Sequence, residues 1–264
     1  MSNRPIGVFD SGVGGLSILG ALRAELPHED FIYVSDSAHA PYGERDDAHV
    51  TGRSRALAQE LVQRDVKALV VACNTATAAA IHLLRAEIPL LPIVGVEPAL
   101  KPAVIASRTR RIGVMATRGT LGSAKFRALL GSLAGQAEFV LQPCDGLADA
   151  IEQQVSKGDA AGVPALCALH VKAMGRFGSG EGSIDTLVLG CTHYPFAQAH
   201  LAALVGPGVQ MIDTGGPVAR QTRRLLEDRA LLKASSGTGH VELQSTGDLA
   251  ALRRAAAQWL ALGS

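Results

Sequence analysis

The amino-acid sequence predicts an α/β protein with two similar lobes, each built on a mainly parallel sheet flanked by helices. Short apolar runs alternate with longer segments of helical spacing, which is typical of chains made of β-α-β units. The sequence also repeats weakly, because "IGVFDSGVGGLS" at 6–17 is echoed by "IGVMATRGTLGS" at 112–123, and "LVVACNT" at 69–75 by "LVLGCTH" at 187–193. The repeat indicates lobes related by a pseudo-two-fold axis, with an active site in the cleft between them.

The strands are predicted from apolar, β-branched runs bounded by turn residues. In chain order they lie at Ile6 to Phe9, Phe31 to Val34, Ala68 to Ala72, Ile93 to Val96, Ile112 to Met115, Glu138 to Leu141, Thr186 to Leu189 and Gln210 to Ile212. Helical spacing predicts helices at Leu16 to Glu25, Val50 to Arg64, Thr77 to Arg85, Ser123 to Leu133, Leu147 to Ser156 and Phe196 to Val205. A last amphipathic helix, Asp248 to Leu262, begins with Asp248 as its N-cap, and we expect it to pack onto the first lobe.

The chain has 264 residues, of which 47% are hydrophobic, so it can bury two cores. We place the first lobe at residues 1–97 plus 212–264 and the second lobe at residues 98–211. The passage "IPLLPIVGVEPALKP", from Ile88 to Pro102, is punctuated by prolines and is the natural crossing between the lobes.

Composition excludes several classes of protein. Lys plus Arg number 25 and Asp plus Glu 24, and only 4% of residues are aromatic, so we expect no nucleic-acid partner. No run of 18 or more apolar residues predicts a membrane span, and the N-terminus lacks a signal-peptide pattern, so we expect a cytoplasmic protein without a membrane partner. The four cysteines show no CxxC spacing, and we expect reduced thiols.

Two of the cysteines end apolar strands at equivalent places in the repeat. Ligands of open α/β sheets bind beyond the carboxyl ends of the strands, and Cys73 and Cys191 follow such ends. A single cysteine at such a place is more often a packing residue, and we interpret Cys144 and Cys167 in that way. The recurrence makes Cys73 and Cys191 the candidates for chemistry.

Proton transfer explains why there are two such thiols. A zinc site of Cys73, Cys191 and His193 would contain only one close pair of ligands, whereas structural zinc sites normally show more, and we expect no metal. A Cys-His nucleophile would need one activated cysteine, not two. Inversion at a carbon atom needs a base on one face and an acid on the other, which two thiols can supply once neighbours such as Asp10 and His193 adjust their ionisation.

Neither a nucleotide nor pyridoxal phosphate is expected as a cofactor. The stretch "DSGVGGLS" lacks the Lys-Ser/Thr of a phosphate-binding loop and does not fit the dinucleotide pattern GxGxxG. No lysine lies in a context that suggests a Schiff base.

Four motifs carry a resemblance to a known family. "GVFDSGVGGLS", "DSAHAPYGER", "ACNTATA" and "GCTHYPF", in that order, resemble the motif set of the glutamate racemases of the aspartate/glutamate racemase family, and the match runs from about Pro5 to Gly216. The resemblance implies cofactor-independent interconversion of L- and D-glutamate by two thiols, which supplies D-glutamate for peptidoglycan synthesis. It also implies a homodimer.

The resemblance assigns roles to residues by position. Cys73 and Cys191 match the two catalytic acid/base thiols, Asp10 matches a residue that adjusts Cys73, and His193 matches a residue that assists Cys191. The positions that match substrate-binding residues are Asp10, Ser11, Tyr42, Gly43, Asn74, Thr75, Thr117, Thr120, Glu152, Thr192 and His193.

One motif departs from the family pattern. In "DSAHAPYGER", Ser37 and His39 stand where many members carry Thr and Arg, so the contacts of this loop are not carried over. Loops that lead into helix N-termini supply hydroxyl, amide and backbone N–H donors, and we expect these to bind the side-chain carboxylate of the substrate without a dedicated arginine.

Three other functions stay open at this point. An aspartate or hydantoin racemase of related architecture would use the same two thiols. A hydrolase would use Cys191 and His193 as nucleophile and base, with no need for Cys73. An amino-acid-binding module would bind glutamate without exchange of its α-proton.

Overall fold

The computed structural model describes residues 1–158, 161–234 and 236–262. In these ranges the strands are β1 (Ile6–Asp10), β2 (Phe31–Ser35), β3 (Ala68–Val71), β4 (Ile93–Gly95), β5 (Arg111–Ala116), β6 (Glu138–Pro143), β7 (Thr186–Leu189), β8 (Gln210–Ile212) and β9 (Val241–Ser245). The helices are α1 (Leu16–Glu25), α2 (Asp47–Gln63), α3 (Asn74–Glu87), α4 (Leu100–Ala106), α5 (Arg118–Gly122), α6 (Ala124–Gly131), α7 (Leu147–Lys157), α8 (Gly162–Met174), α9 (Gln198–Val205), α10 (Gly215–Asp228) and α11 (Leu249–Leu260). None of these helices is both long enough and apolar enough to cross a membrane.

The strands form two parallel sheets with the same internal order. The first sheet runs β4-β3-β1-β2-β9 and the second β6-β5-β7-β8. Val8 of β1 lies beside Tyr33 and Val70, and Val114 of β5 lies beside Leu141 and Val188. In each sheet the first strand of the repeat is central, with the second and third on either side of it, so β3 and β7 occupy equivalent places. The predicted fold class is confirmed.

Helices cover both faces of each sheet, which explains why inner strands such as β1, β3 and β7 are apolar along most of their length. In the first sheet, α1, α10 and α11 pack on one face and α2 and α3 on the other. In the second sheet, α7, α8 and α9 cover one face, and α4 and α6 the other. Parallel strands buried in this way expose only their ends, so the carboxyl ends of β1, β3, β5 and β7 are where polar side chains can meet a ligand.

The eight predicted strands are confirmed, with ends that differ from the prediction by at most two residues. Among the helices, α3 begins at Asn74 rather than at Thr77, because Cys73 is its N-cap and its sulfur accepts the N–H of Ala76. The predicted last helix is confirmed as α11, where Asp248 accepts the N–H of Ala251. Its buried side chains join the core of the first sheet, as expected.

Five elements were absent from the prediction, namely β9 and the helices α4, α5, α8 and α10. β9 has the half-buried sequence "VELQS" and depends on its pairing with β2, which is distant in the chain. The division into lobes at 97/98 and 211/212 stays a prediction. Residues 263 and 264, which end the first predicted lobe, lie outside the described residues.

A buried ion pair lies at the amino end of the first sheet, opposite the edge that carries the thiols. Lys67 and Glu29 are paired, and their side chains are 0% and 3% exposed. Lys67 Nζ also donates to the carbonyl of Ser2 at 2.9 Å, and a Glu29 carboxylate oxygen accepts the N–H of Lys233 at 2.8 Å. The pair thereby connects the N-terminus, the start of β3 and the segment before β9.

Substitution of one member of this pair tests its contribution to stability. Lys67→Met leaves the Glu29 carboxylate buried without its cation, which costs on the order of 3–5 kcal/mol in proteins. We expect a loss of that size in the free energy of unfolding, measured by urea denaturation. The double variant Lys67→Met/Glu29→Leu removes both charges and should recover most of the loss. Equal stability of the single and double variants would contradict this account.

Candidate active site

A cavity lies between the carboxyl ends of the two sheets, and loops from both lobes line it. Every predicted site residue except Asp10 and Thr120 contributes to the wall: Ser11, Tyr42, Gly43, Cys73, Asn74, Thr75, Thr117, Glu152, Cys191, Thr192 and His193. Asp10 lies behind the wall and is fully buried, and Thr120 is also buried. The structure therefore brings the residues of all four motifs to one place.

Cys73 occupies the first half of this cavity, at the junction between β3 and α3. Its sulfur lies 3.5 Å from the N–H of Ala76 and 3.8 Å from the hydroxyl of Ser11. Burial raises the pKa of the Cys73 thiol well above its ordinary value, and negative charge on Asp10 and on Cys191 raises it further, whereas the Ala76 N–H opposes the shift. With a raised pKa, Cys73 is held as a thiol.

Asp10 follows Phe9 at the end of β1 and accepts hydrogen bonds from the loop before α1. One carboxylate oxygen lies 2.7 Å from the Gly15 N–H and 3.4 Å from the Gly12 N–H. Burial raises the pKa of Asp10 from 3.8 to about 6, against the opposing effect of a positive charge on His193. Asp10 is therefore close to titration near neutral pH, which suits a group that adjusts a neighbouring thiol.

Cys191 occupies the second half of the cavity and is backed by a hydrogen-bonded chain. Its sulfur lies 3.7 Å from Nδ1 of His193, and Nε2 of His193 lies 2.7 Å from Oε1 of Glu152. The same oxygen accepts the N–H of Val13 at 2.5 Å. Burial alone would lower the pKa of His193, but the hydrogen bonds with Cys191 and Glu152 outweigh it and raise the pKa well above its ordinary value. While Cys191 is a thiolate, His193 is therefore held as the imidazolium between two acidic partners.

Direct contacts between the lobes complete the cavity. The hydroxyls of Thr75 and Thr117 lie 3.0 Å apart, and Thr117 in turn donates to Thr120 at 3.0 Å. On the other side, the Ser17 hydroxyl donates to the carbonyl of Thr192 at 2.8 Å. Neither lobe forms the cavity alone.

The loop that carries Tyr42 is held by a buried carboxylate. Asp36 is fully buried and accepts a hydrogen bond from the Tyr42 hydroxyl. Its two oxygens also accept one N–H each from the Arg53 guanidinium, at 2.9 and 2.8 Å. Burial favours the neutral form of Asp36, but the hydrogen bonds from Arg53 and Tyr42 outweigh this and lower its pKa. A Cβ on Gly43 would lie 2.8 Å from the Thr117 methyl, so the loop needs glycine at this point of close approach.

The two positions that depart from the family pattern lie on the outer side of this loop. Ser37 has its hydroxyl 2.9 Å from that of Ser245 in β9. His39 has Nδ1 3.0 Å from Asp36 Oδ1 and does not line the cavity. Their contacts support the loop and do not reach the space between the thiols.

Sequence reasoning missed several residues of the cavity wall, among them Glu44, Arg118, Cys144, Asp145 and Asp149. Arg118 pairs with Asp145 at the rim, where the arginine side chain is 69% exposed. Cys144 is buried in the wall, directly beyond the end of β6, whereas Cys167 lies in the core, as we interpreted it. Position at a strand end, without the requirement that the cysteine recur in the repeat, would also have selected Cys144. The described residues contain no group of three or more His, Cys, Asp or Glu side chains arranged for a metal ion.

Comparisons with known proteins agree with this geometry. A family model described as Asp/Glu/Hydantoin racemase matches residues 16–222. A glutamate racemase from Stutzerimonas stutzeri is 47% identical over 234 residues, which cover 89% of this chain and 86% of that protein. The crystal structure of the glutamate racemase isoform RacE1 from Bacillus anthracis has a TM-score of 0.86 at 29% identity and covers 99% of this chain and 96% of its own. A glutamate racemase from Francisella tularensis, crystallised with D-glutamate, has a TM-score of 0.82 at 28% identity, with coverage of 99% and 95%.

The raised pKa of Asp10 predicts a specific dependence of stability on pH. Because the folded-state pKa of about 6 lies above the unfolded value of 3.8, ionised Asp10 opposes folding above pH 6 and stops doing so as pH falls toward 4. At about 1.4 kcal/mol for each pKa unit, the effect is at most about 3 kcal/mol. We therefore expect the free energy of unfolding of Asp10→Asn, relative to that of the wild type, to be higher at about pH 7.5 than at about pH 4.

The free energy of unfolding at both pH values tests this, since any cost of the substitution that does not depend on pH cancels. Asp36→Asn is the matched control, because the pKa of Asp36 is lowered and its substitution should cost more at the higher pH. The same pH dependence in both variants would contradict the assignment.

Proposed function

The chain belongs to the Asp/Glu/hydantoin racemase family, and on that premise we propose that it interconverts L- and D-glutamate by proton transfer between two thiols. The observation that carries the proposal is the placement of Cys73 and Cys191, from equivalent strands of two lobes, in the wall of one cavity. Relatives that it matches over most of its length include several glutamate racemases. As the family resemblance implies, the D-glutamate would serve peptidoglycan synthesis.

In this mechanism one sulfur acts as base and the other as acid. A thiolate on one face of the substrate removes the proton from Cα, and the bonding pair stays on the substrate as a carbanion. The thiol on the opposite face then delivers its proton to Cα, so the configuration inverts and the two sulfurs exchange protonation states. General acid and base groups of this kind contribute about 100- to 10,000-fold each, so positioning and charge stabilisation must supply the rest.

The two sulfurs are prepared differently for these roles. Cys73 is held as a thiol by burial and by the negative charge of Asp10, so it is ready to donate. Cys191 contacts His193, which can take up the thiol proton or return it, because its other nitrogen is bound by Glu152. The reverse reaction uses the same pairs with their protonation states exchanged.

The cavity offers groups for each charge of glutamate. Negative charge that develops on the α-carboxylate during proton removal is stabilised by donors at the N-terminus of α3, where Asn74 and Thr75 begin the helix. Ser11 and Thr192 line the same space with further hydroxyls. The Glu152 carboxylate in the wall suits the substrate ammonium, and the buried Asp10 carboxylate lies behind it. Arg118 at the rim is the one arginine or lysine among the described residues that line the cavity.

Removal of either sulfur tests the two-thiol scheme. A serine hydroxyl is a far weaker acid than a thiol, so Cys73→Ser and Cys191→Ser should each lower the racemisation rate by about a thousandfold or more with the fold retained. Circular dichroism time courses started from L- and from D-glutamate, without added metal or cofactor, measure the rate.

Cys167→Ser is the matched control, because Cys167 is buried in the core of the second lobe and does not line the cavity. It should keep its activity. Full activity of the Cys73→Ser variant would instead favour a one-cysteine chemistry based on Cys191 and His193.

The support that Glu152 gives to His193 predicts a change in pH dependence. Glu152→Gln removes the carboxylate that helps to raise the pKa of His193, so less imidazolium remains as pH rises. We expect kcat of this variant to fall more steeply between about pH 6.5 and about pH 8.5 than that of the wild type. Asp149→Asn changes another carboxyl of α7 that lines the cavity and should keep the wild-type profile. Parallel profiles for Glu152→Gln and the wild type would contradict the role of Glu152.

A further inference from the structure

A second groove meets the active-site cavity at Glu152. It runs between the end of β2, helix α7 and the start of α11, and has a volume of about 290 Å³. Residues that line it include Val13, Ser35, Asp149, Glu152, Asp248 and Ala251. Ala40, Asp149 and Glu152 belong to both walls, so the two spaces adjoin at these three residues.

The groove has the size and the polarity to hold water. One water occupies about 30 Å³ in the liquid, so several molecules fit. The Ser35 hydroxyl is fully buried in the wall and has no hydrogen-bond partner among the described residues, so it can bind a water molecule. The Asp149 and Glu152 carboxylates supply further acceptors.

A proton path connects this groove with one of the two sulfurs. The Cys191 sulfur lies 3.7 Å from His193 Nδ1, and His193 Nε2 lies 2.7 Å from Glu152 Oε1. The His193 side chain is 5% exposed, whereas that of Glu152 is 16% exposed. Each neighbour in the chain is therefore within reach for proton transfer, and its last member lies in the wall of the groove.

Cys73 lacks an equivalent connection. Its neighbours are the Ser11 hydroxyl and the Ala76 N–H, with the Asp10 carboxylate behind them, and none of these residues lines the groove. Asp10 is fully buried, and one of its oxygens is bound by backbone N–H groups. A substrate that fills the main cavity would cover Cys73, while the chain behind Cys191 still reaches the groove.

We propose that this groove is a rear proton port, through which Cys191, and not Cys73, exchanges its proton with solvent while substrate is bound. The inference rests on the proposed function. Once Cys191 is a neutral thiol, the negative charge that helps to hold His193 as the imidazolium is gone, and the exchange starts from neutral His193 with its proton on Nε2. The Cys191 thiol then gives its proton to Nδ1 of His193, and the proton on Nε2 passes to the Glu152 carboxylate. Glutamic acid at 152 then releases that proton to water in the groove, which leaves a thiolate on Cys191. The reverse sequence returns a proton from solvent to the sulfur.

The port has a consequence that differs between the two enantiomers. When Cys191 removes the α-proton, that proton can leave through the port during the lifetime of the carbanion, and a solvent proton can return to the same face. The recovered substrate is then exchanged without inversion. When Cys73 removes the α-proton, the proton stays on the covered sulfur, and substrate that is re-formed keeps its original hydrogen.

Exchange without inversion in D2O tests the proposal on the whole protein. L-glutamate and D-glutamate are each incubated with the enzyme in D2O, and the reactions are stopped at low conversion. The enantiomers are then separated by chiral chromatography, and the α-deuterium content of each is measured by mass spectrometry. The ratio of deuterated starting enantiomer to racemised product should be at least about fivefold higher for one enantiomer than for the other. The Cys73→Ala variant retains only Cys191 of the two thiols. It should therefore exchange the α-proton of the same enantiomer that shows the higher ratio in the wild type.

A plug in the groove provides the second part of the test. Ala251→Met extends a side chain into the groove from α11 and should lower the larger ratio toward the smaller one, with the racemisation rate within about twofold of the wild type. Ala250→Met makes the same change at an exposed position of the same helix, outside the groove wall, and should leave both ratios unchanged.

Equal ratios for the two enantiomers in the wild type overturn the proposal without any variant, as does a higher ratio for the enantiomer that Cys73 deprotonates. An Ala251→Met variant that racemises glutamate and keeps the wild-type ratios also overturns it. Absence of racemisation by the wild type would count against the proposed function instead, so the two failures are distinguishable.

Discussion

The meeting of two sulfurs in one cavity is the constraint on which the rest of the site depends. In a parallel sheet the carboxyl ends of all strands lie at one edge, and in each lobe a cysteine follows the strand on the same side of the central strand. The lobes are joined with these edges facing each other, through contacts such as Thr75 with Thr117 and Ser17 with Thr192. The helices that bury both faces of each sheet leave this edge as the place where polar groups can face a ligand.

Burial affects the charge states around Cys73 and around Cys191 differently, although the two cysteines follow equivalent strands. Enclosed thiols and carboxyl groups lose water, which favours their neutral forms, and this effect dominates at Cys73 and Asp10. On the other side, buried His193 is charged while Cys191 is a thiolate, because Glu152 and Cys191 bind its two nitrogens. The two lobes have the same strand order, but the groups around the two sulfurs therefore differ in their protonation states. This asymmetry suits a two-thiol exchange, in which one sulfur must be ready to donate while the other accepts.

Much of the fold could be predicted because local signals and long-range structure agree. Six of the eight predicted strands are mostly buried, apolar runs, and the repeat indicated which strands are equivalent. β9 was missed because its alternating sequence is only half buried, and its place depends on pairing with β2, some 200 residues earlier in the chain. Helix α10 was missed because it is rich in arginine and polar overall, although Val218, Ala219 and Leu226 pack as an apolar stripe against the first sheet.

The candidate site was predictable where a motif and a strand end coincide, as at Cys73 and Cys191. Cys144 lies at the end of β6 and enters the cavity wall, yet the repeat offers no thiol at the matching end of β2, where Ser35 and Asp36 stand. The ion pair of Asp36 and Arg53 that holds Tyr42, and the groove behind Glu152, depend on packing between distant segments. No spacing rule reports such contacts.

A crystal structure of the protein with glutamate bound would show directly whether the two sulfurs flank the substrate. We expect Cα between the two sulfurs, with Cys73 Sγ and Cys191 Sγ on opposite faces and each within about 4 Å, as a near-attack geometry requires. A complex in which glutamate touches one sulfur while the other stays out of reach, or in which both sulfurs approach the same face of Cα, would contradict this expectation.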